Sequence, residues 1–380
     1  MIEVNFIGDT CFSGVFSCPE EISKYNFDER IRNVFLKADY NVINLEGPIT
    51  QAEGTKKKGS VLKTQPSFCS LLAEMNIKVF NLANNHIMDC GLEGLKDTYY
   101  YAALNEISKF GAGYNLDYAI QPVILHKNNI SVALIGVSHN EGLLASNNSP
   151  GVLSEACNKK IKKQIRDLKN QHDWVVVNYH GGEEFSHIPM PSRRRSLLSY
   201  LKAGADLVIA HHAHVVQGFE KLENKYISYS LGNFVLDTLY QRAHEDTDES
   251  VILSIRFEKN RFFETPYYTK IKHKYKKVIL IQENGYFQRL NKSNYTLSWF
   301  AECFRLSISK QKKNDGINTK NFDGNHNNIF KLKNYCSPKT ILSLIRIINH
   351  RIQRTILFGA IMWVVLYKLN LVKRSEKNTH

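Results

Sequence analysis

The sequence lacks several features that would place it in a familiar class of protein. Its seven cysteines form no CxxC pair and follow no regular spacing, which predicts reduced thiols in a reducing compartment. No Walker-type phosphate loop, no dinucleotide-binding glycine fingerprint and no Ser-His-Asp arrangement is present. These absences argue against a P-loop nucleotide hydrolase, a nicotinamide-dependent dehydrogenase and a serine hydrolase.

The N-terminal residues also lack a targeting signal. Residues 1–9 have neither the basic start nor the apolar core of a secretory signal, and they are typical of a strand that ends in a turn. We therefore expect no signal peptide and a cytoplasmic location, with peripheral contact to the inner face of the membrane.

A long apolar segment is missing as well. Residues 356–367 form an uninterrupted apolar run, but a membrane-spanning helix needs roughly 20 such residues. Within residues 341–371, Arg346, Arg351 and Arg354 lie among apolar residues, which predicts an amphipathic helix. Two interpretations stay open: a helix on a membrane surface with its arginines toward anionic headgroups, and a helix packed on the domain. A membrane-spanning tail anchor is favoured less than either.

The net charge of +14 is distributed unevenly along the chain. Residues 1–255 hold 25 Lys and Arg against 29 Asp and Glu, a net −4, whereas residues 256–380 hold 25 against 7, a net +18. The basic last third is therefore informative about binding partners and not about the chemistry of the first 255 residues. Lysines and tyrosines alternate near residues 267–277, but no recognisable nucleic-acid-binding module accompanies them, so a membrane-facing surface is the better interpretation.

The chain divides into three regions by composition. With 43% hydrophobic and 23% charged residues it is typical of a globular protein. We predict a domain over residues 1–265, a basic polar linker or accessory region over 266–335, and an amphipathic C-terminal helix over 336–380. The polar, Asn-rich stretch 311–328 indicates a linker or a disordered segment within the second region.

The first 240 residues alternate short apolar runs with longer amphipathic stretches, which predicts an α/β fold. The predicted strands are residues 3–7, 40–45, 79–82, 131–137, 174–178, 206–210 and 226–230. The predicted helices are residues 29–37, 66–75, 91–107, 155–170 and 192–203.

Polar residues follow these predicted strands directly. Asp9, Glu46, Asn85, His180 and the His212-Ala-His214 pair each come just after a different strand. Because ligand sites in α/β sheets gather at the carboxyl ends of strands, we expect these side chains to meet. Histidine nitrogens with carboxylate and amide oxygens suit a divalent ion such as Zn²⁺, Mn²⁺ or Fe²⁺. A single histidine is usually structural, but chance explains several such clusters poorly.

These residues resemble a known family, the capsule-synthesis CapA and poly-γ-glutamate-synthesis PgsA proteins, a branch of the calcineurin-like metallophosphatases. The resemblance covers about residues 4–237. The matching stretches are Phe6-Ile-Gly-Asp9, Asn44-Leu-Glu46-Gly-Pro48, Asn81-Leu-Ala-Asn84-Asn85-His86-Ile-Met-Asp89-Cys-Gly91, Gly111-Ala-Gly113-Tyr-Asn115, His180-Gly-Gly-Glu183-Glu184-Phe185, Ala205-Asp206-Leu-Val-Ile-Ala-His211-His212-Ala-His214-Val-Val-Gln217 and Ser230-Leu-Gly-Asn233-Phe234.

The resemblance implies a metallophosphatase-like fold, with two packed sheets flanked by helices in an αββα order, and a centre for one or two divalent ions (Mn²⁺, Zn²⁺, Fe²⁺ or Mg²⁺). Asp9 would bind the first ion, and Glu46 would bridge the two. Asn85 and His180 would bind the second ion. His212 and His214 would contribute one ligand to each.

Further residues are predicted to act on the substrate. His86 matches the histidine that assists the leaving group or contacts the phosphate in related phosphatases, and Asp89 would orient it. Glu184 matches a family acid and is included among the catalytic candidates without an assigned role. Asn84 and Arg193 are candidate substrate contacts, although an arginine cluster at a solvated helix start is at least as good an interpretation for Arg193.

The sequence departs from the family pattern at one ligand position. Metallophosphatases typically begin with Asp-x-His, and Cys11 stands where that histidine would be. Either Cys11 binds in its place, or the first metal position is weaker, or the site is mononuclear. The family's His-Trp-Gly reads His180-Gly-Gly here, which removes no ligand. His211 is expected to be structural, with its side chain pointing away from the site.

Two functions follow from these expectations. The leading one is a metal-dependent hydrolase of a phosphoester or another anionic substrate in capsule or exopolymer synthesis. The alternative is a non-catalytic accessory protein that binds metal and polymer beside membrane-associated polymer-synthesis proteins.

Overall fold

The computed structural model describes residues 1–55 and 60–290, together with residues 295, 298–303, 305, 306 and 362. The chain forms two compact units, Met1–Arg289 and Leu290–His380. The predicted C-terminal helix, including residues 341–371, lies almost wholly outside the described residues. Among those that are described, no helix combines the length and apolarity needed to cross a membrane.

The first unit contains sixteen strands and seven α-helices in the described residues. The strands are β1 Ile2–Thr10, β2 Tyr40–Leu45, β3 Ile77–Asn81, β4 Ser108–Phe110, β5 Ala112–Gly113, β6 Val123–Lys127, β7 Ile130–Ser138, β8 Gly151–Val152, β9 Trp174–His180, β10 Leu207–His211, β11 Val216–Leu222, β12 Lys225–Leu231, β13 Asn233–Val235, β14 Glu249–Phe257, β15 Phe262–Lys272 and β16 Lys277–Ile281. The helices are α1 Glu29–Lys37, α2 Ser67–Glu74, α3 Gly91–Leu104, α4 Leu116–Ala119, α5 Asn158–Gln171, α6 Pro191–Ala203 and α7 Leu239–Arg242.

Two mixed sheets form the body of this unit. The first has the order β16-β15-β14-β1-β2-β3-β4, and β13 also pairs with β1. Strands β1 to β4 are parallel, whereas β14, β15 and β16 continue the sheet in antiparallel fashion. The second sheet has the order β11-β12-β10-β9-β7-β6, with parallel pairing among β7, β9, β10 and β12.

The two sheets pack face to face over an apolar core. Val4 and Phe6 from β1 lie in the same buried cluster as Val176 from β9 and Ile209 from β10. Ile7, the next residue along β1, belongs to a second cluster on the opposite face of the first sheet. Successive side chains of a strand point to opposite faces, so the central strands are buried on both sides and consist largely of apolar residues.

Helices cover the outer face of each sheet. Ile31 and Phe35 of α1, spaced by one helical turn, face the second cluster, and the carboxylate of Asp28 caps that helix by accepting from the Arg30 N–H. Helices α2 and α3 bury apolar side chains in the same cluster. Helices α5 and α6 pack against β9 and β10 on the other side of the molecule.

The predicted αββα fold with two sheets flanked by helices is thus confirmed. The predicted strand 40–45 and helix 29–37 match β2 and α1 residue for residue. The predicted domain end at 265 falls inside β15, because β14 to β16 extend the first sheet and the first unit continues to Arg289. β15 went unrecognised because most of its side chains are half-buried or exposed and include Lys and Tyr.

Candidate metal centre

The predicted ligands come together at one end of the sandwich, where parallel strands of both sheets terminate. Asp9 in β1 and Glu46 just after β2 come from the first sheet, and strand register places Asp9 opposite Asn44. His180 ends β9 and is paired with His211 at the end of β10. The loop after β10 then carries His212 and His214. The side chains of Asp9, Glu46, His180, His211, His212 and His214 are all at least nine-tenths buried. Asn85 and His86, in the loop after β3, are half-buried.

Two overlapping groups of side chains can each hold a divalent ion. One consists of Asp9, Glu46 and His214, and the other of Glu46, His180 and His212. Within each group the ligand atoms lie within 4.8 Å of one another. Asn85 joins the second group, since its Oδ1 lies 2.9 Å from Nε2 of His180. Glu46 belongs to both groups, as a bridging carboxylate must.

The surroundings of Glu46 fit a cation. Its Oε1 lies 3.8 Å from Nε2 of His180 and 3.7 Å from Nε2 of His214. Neither carboxylate oxygen finds a hydrogen-bond partner among the described residues, although both are fully buried. Burial and the charge of Asp9 raise the pKa of Glu46 well above its usual value. A bound cation would satisfy these oxygens and offset the repulsion between the two carboxylates.

The histidines around the centre have divergent pKa values. Burial, followed by the charge of His214, lowers the pKa of His212 to about 3, and burial lowers that of His211 to about 4. Burial also lowers the pKa of His180, with neighbouring histidines adding to the effect. For His214, burial opposes the charges of Glu46 and Asp9, which raise its pKa to about 10. His180 and His212 are therefore neutral and keep a lone pair for a metal ion, whereas a metal ion that bound His214 would displace a proton.

Asparagine side chains orient the ligands. Nδ2 of Asn44 donates to Oδ1 of Asp9 at 2.8 Å and lies 3.1 Å from Nδ1 of His180. Oδ1 of Asn233 lies 3.0 Å from Nδ1 of His214, and Nδ2 of Asn233 donates to the Thr247 carbonyl. Because a carbonyl can only accept, this bond directs Oδ1 of Asn233 toward His214. His214 therefore donates from Nδ1 and presents Nε2 to the centre.

The His212-Ala-His214 turn has an unusual backbone. His212 has φ of +89° and His214 has φ of +58°, a region that non-glycine residues seldom adopt. Such positions cost on the order of 1–3 kcal/mol each and persist only where the surroundings hold them. Here the carboxylate of Asp9 accepts from the His212 N–H at 3.3 Å, and the Phe185 N–H donates to the Ala213 carbonyl.

His86 and Asp89 form a pair beside the centre. Nδ1 of His86 lies 2.8 Å from Oδ2 of Asp89, and its Nε2 lies 4.0 Å from Oε1 of Glu46. The His86 side chain is 18% exposed, whereas that of Asp89 is 1% exposed. Asp89 therefore fixes the orientation of the His86 ring, whose Nε2 lies on the side of Glu46.

The other predicted site residues have different surroundings. Glu184 is exposed and its Oε2 accepts from the Tyr240 hydroxyl at 2.9 Å; after burial and Asp9, its charge also raises the pKa of Glu46. Arg193 is mostly buried and forms an ion pair with Glu155 at 3.1 Å. Arg193 is therefore not a solvated residue at the start of a helix.

The side chain of Asn84 hydrogen-bonds to the backbone around it. Its side chain is fully buried, its Oδ1 accepts from the His86 and Ile87 N–H groups, and its Nδ2 donates to the Leu45 carbonyl. It therefore shapes the turn that carries Asn85 and His86, and it has no exposed surface for a substrate contact.

Cys11 does not join either ligand group. Its Sγ lies in a buried cluster with Leu62 and Leu236, 3.7 Å from Oγ1 of Thr64. Burial raises the pKa of the Cys11 thiol to about 12, with the charge of Glu46 contributing, which disfavours the thiolate that a metal needs. Among the alternatives for this position, the geometry favours a first metal site with fewer protein ligands.

Several contributors to the site were missed from the sequence. Asn44 and Asn233 lie within matching motif stretches, but asparagine at a strand end gives no local signal of which ligand it contacts. His211 was expected to point away, yet its Nδ1 lies 3.6 Å from Oδ1 of Asp9. Glu141, in the loop after β7, places a carboxylate oxygen 3.7 Å from Nε2 of His212.

Glycines shape the loop after β9. Gly181 has φ of +154°, and a Cβ there would lie 2.4 Å from that of His139. The family's tryptophan at this position would therefore not fit here, and glycine is required by the approach of the 139–142 loop.

Comparisons with known proteins identify the family of this chain. A family model described as "Bacterial capsule synthesis protein PGA_cap" matches residues 3–238. The PGA biosynthesis protein CapA of Bacillus subtilis (strain 168) is 32% identical over 275 residues, which cover 70% of this chain and 71% of that protein. The capsule biosynthesis protein CapA of Bacillus anthracis is 33% identical over 238 residues, which cover 60% of this chain and 58% of that protein.

Solved structures show weaker similarity. A hypothetical protein from Thermus thermophilus matches at 16% identity with a TM-score of 0.44, covering 71% of this chain and 99% of that one. A 5'-nucleotidase from Candida albicans matches at 12% identity with a TM-score of 0.42, covering 72% and 53%. The family model spans more than half of the chain and includes every residue of the two ligand groups. The chain belongs to the bacterial capsule synthesis PGA_cap family.

Proposed function

We propose that this protein is a metal-dependent hydrolase of a phosphoester or related anionic substrate in the synthesis of capsule or poly-γ-glutamate. The biological context follows from the family and from the names of the CapA relatives. The observation that carries the chemical part is Glu46, whose two buried oxygens lack hydrogen-bond partners among the described residues and which belongs to both ligand groups.

Each side chain has a defined task in this proposal. Asp9, Glu46 and His214 would hold one ion, and Glu46, Asn85, His180 and His212 would hold a second, with Mn²⁺, Zn²⁺, Fe²⁺ and Mg²⁺ as candidates. An ion in this position supplies Lewis acidity toward water and toward an oxygen of the scissile group. His86, held by Asp89, would contact the anionic group or donate a proton to the leaving oxygen.

The test combines metal analysis with turnover. We expect purified protein to contain metal at near-stoichiometric amounts and to hydrolyse bis(p-nitrophenyl) phosphate, with activity lost in chelator and restored by Mn²⁺ or Zn²⁺. His86→Ala should retain the metal and lose roughly 10²–10⁴-fold in kcat. Asp9→Ala should lose both metal and activity. Protein without metal under metal-replete conditions would contradict the whole proposal.

A second function is favoured by one specific observation. Cys11 lies outside the ligand groups, so the first position has only Asp9, Glu46 and His214 from the described residues. A weakly held first ion suits an accessory protein that binds metal and polymer beside membrane-associated synthesis proteins without turnover. Stoichiometric metal with no hydrolysis of any phosphoester would favour this accessory role.

A further inference from the structure

Helices α5 and α6 form the outer layer of the second sheet. α5 buries Ile161, Ile165 and Leu168, and α6 buries Leu197 and Leu201. The remaining positions of both helices therefore face away from the sheet. None of the large apolar side chains that are exposed on the described surface belongs to either helix.

This layer has an extreme charge composition. The two helices hold ten of the 25 Lys and Arg in residues 1–255 but only one of the 29 Asp and Glu, a net +9. The rest of residues 1–255 holds the remaining 15 basic and 28 acidic residues, a net −13. The positive charge of this region is therefore concentrated on one side of the sandwich.

Ion pairs neutralise only part of this charge. Lys163 pairs with Asp167, Lys169 with Asp206, Arg193 with Glu155 and Arg194 with Glu220. The other six basic residues have no carboxylate of a described residue within ion-pair distance, and we name them the basic face. They are Lys159, Lys160, Lys162, Arg166, Arg195 and Lys202, all exposed except the half-buried Lys162.

Helix stability does not explain the basic face. Lys159, Lys162 and Arg166 are spaced by three or four residues, so like charges lie next to one another along α5 and destabilise the helix slightly. A nearby anion would remove this repulsion. The lack of large exposed apolar side chains argues against insertion into a bilayer, whose surface helices present an apolar face.

Two residues of the basic face, Arg195 and Lys202, lie on the helix that follows the His180 loop. Helix α6 begins just after the loop that follows the ligand His180, and its Arg193 lines that loop. Nε of Arg193 would lie 3.9 Å from a Cβ placed on Gly182. An extended anion that lay along α6 would therefore approach the loop that follows His180.

We propose that the basic face binds an anionic polymer and directs it toward the metal centre. The role of this surface in delivering substrate rests on the proposed function, whereas the binding step itself requires no turnover. A polycarboxylate matches the surface, because its repeated charges can contact several cations at once while a single anion contacts only one or two.

The test compares two variants that lose the same number of charges. The face variant carries Lys159→Gln, Lys160→Gln, Lys162→Gln and Arg166→Gln. The control variant carries Lys37→Gln, Lys96→Gln, Lys274→Gln and Lys277→Gln, four exposed lysines elsewhere that form no ion pair with a described residue. Binding is measured to poly-γ-glutamate, to free glutamate, and to phosphatidylglycerol–phosphatidylcholine vesicles, at several salt concentrations.

We expect wild-type protein to bind poly-γ-glutamate, with an affinity that falls as salt is added, and to bind free glutamate negligibly. The face variant should bind the polymer about tenfold more weakly, and the control variant should stay close to wild type. Equal loss in both variants would overturn the proposal, because only net charge would then matter. Binding to vesicles but not to the polymer would also overturn it.

The same proteins separate this inference from the proposed hydrolase. Metal content and hydrolysis of bis(p-nitrophenyl) phosphate should be unchanged in the face variant, because none of its four residues contacts the metal ligands. If wild-type protein binds polymer but hydrolyses nothing, the hydrolase proposal fails and the binding surface stands. If wild-type protein hydrolyses the small diester but binds no polymer, the reverse holds.

Discussion

The two sheets contribute different chemistry to the candidate metal centre. The first sheet supplies oxygen ligands from Asp9, Glu46 and Asn85, whereas the second supplies nitrogen ligands from His180, His212 and His214. Neither sheet carries a complete ligand group, so the site exists only when the sheets pack. Metal binding should therefore stabilise the packing of the sandwich as well as the local loops.

The two halves also differ in how the backbone holds them. Asp9 lies within β1, next to register shifts in the pairing of β1 with β2 and with β13. His212 and His214 instead lie in a turn with positive φ, and they depend on contacts from Asp9 and Asn233. The difference indicates that removing an oxygen ligand should act mainly through charge, while the nitrogen half should respond to loss of its supporting contacts.

Glu46→Gln removes a candidate oxygen ligand of the first sheet and should have the largest effect on metal binding. It removes the only carboxylate shared by both ligand groups, so we expect metal content to fall to background. It also removes one of two buried, mutually repelling carboxylates. The metal-free variant should consequently be more stable than metal-free wild type, by about 1–3 kcal/mol. Thermal unfolding with chelator and with Mn²⁺ measures both effects.

The control for this experiment is Glu93→Gln, an exposed carboxylate on α3. It should change neither the metal content nor the melting temperature. Metal retained at wild-type levels in Glu46→Gln would show that Glu46 does not bridge the two positions.

Asn233→Ala tests the nitrogen half and should have an intermediate effect. Without the Asn233 carbonyl oxygen, Nδ1 of His214 keeps only Oδ2 of Asp9, 3.3 Å away, and the ring is held less firmly with Nε2 toward the centre. We expect affinity for the first ion to fall roughly 10–100-fold, with the second ion retained. Titration of metal-free protein with Co²⁺, followed by visible absorption, distinguishes the two positions.

Thr247→Val is the matched control for Asn233→Ala. It removes a hydroxyl that donates to the Gln241 carbonyl in the same segment, but it keeps the Thr247 carbonyl that orients Asn233. Equal loss of metal in both variants would mean that the segment matters only for stability. Loss in Asn233→Ala alone supports the orienting contact to His214.

The candidate ligands from both sheets could be picked out in the sequence for one physical reason. Parallel strands are continuous apolar runs, and polar residues that interrupt them directly at the carboxyl end are visible without a structure. This pattern located Asp9, Glu46 and His180. It also predicted α1 and β2 at their observed boundaries.

The supporting contacts could not be predicted in this way. Asn233 reaches His214 because β13 pairs with β1 beside Asp9, a pairing that depends on tertiary structure. The inward approach of His211 depends on its register with His180 across β9 and β10. The motif that contains Asn84 indicated a substrate contact. The structure shows that the Asn84 side chain hydrogen-bonds to the backbone of Leu45, His86 and Ile87.

Cys11→Ala tests whether the Cys11 sulfur binds the first ion, and we expect the smallest effect on metal content. Its sulfur contacts Leu62, Leu236 and Thr64 and belongs to neither ligand group, so metal content should be unchanged. The smaller side chain leaves a small void, which should lower stability by about 1 kcal/mol. Metal analysis beside Asp9→Ala, which should lose its metal, provides the comparison. Metal loss in Cys11→Ala would instead show that a thiolate has taken the place of the family's histidine, and that the first position is a mixed oxygen, nitrogen and sulfur site.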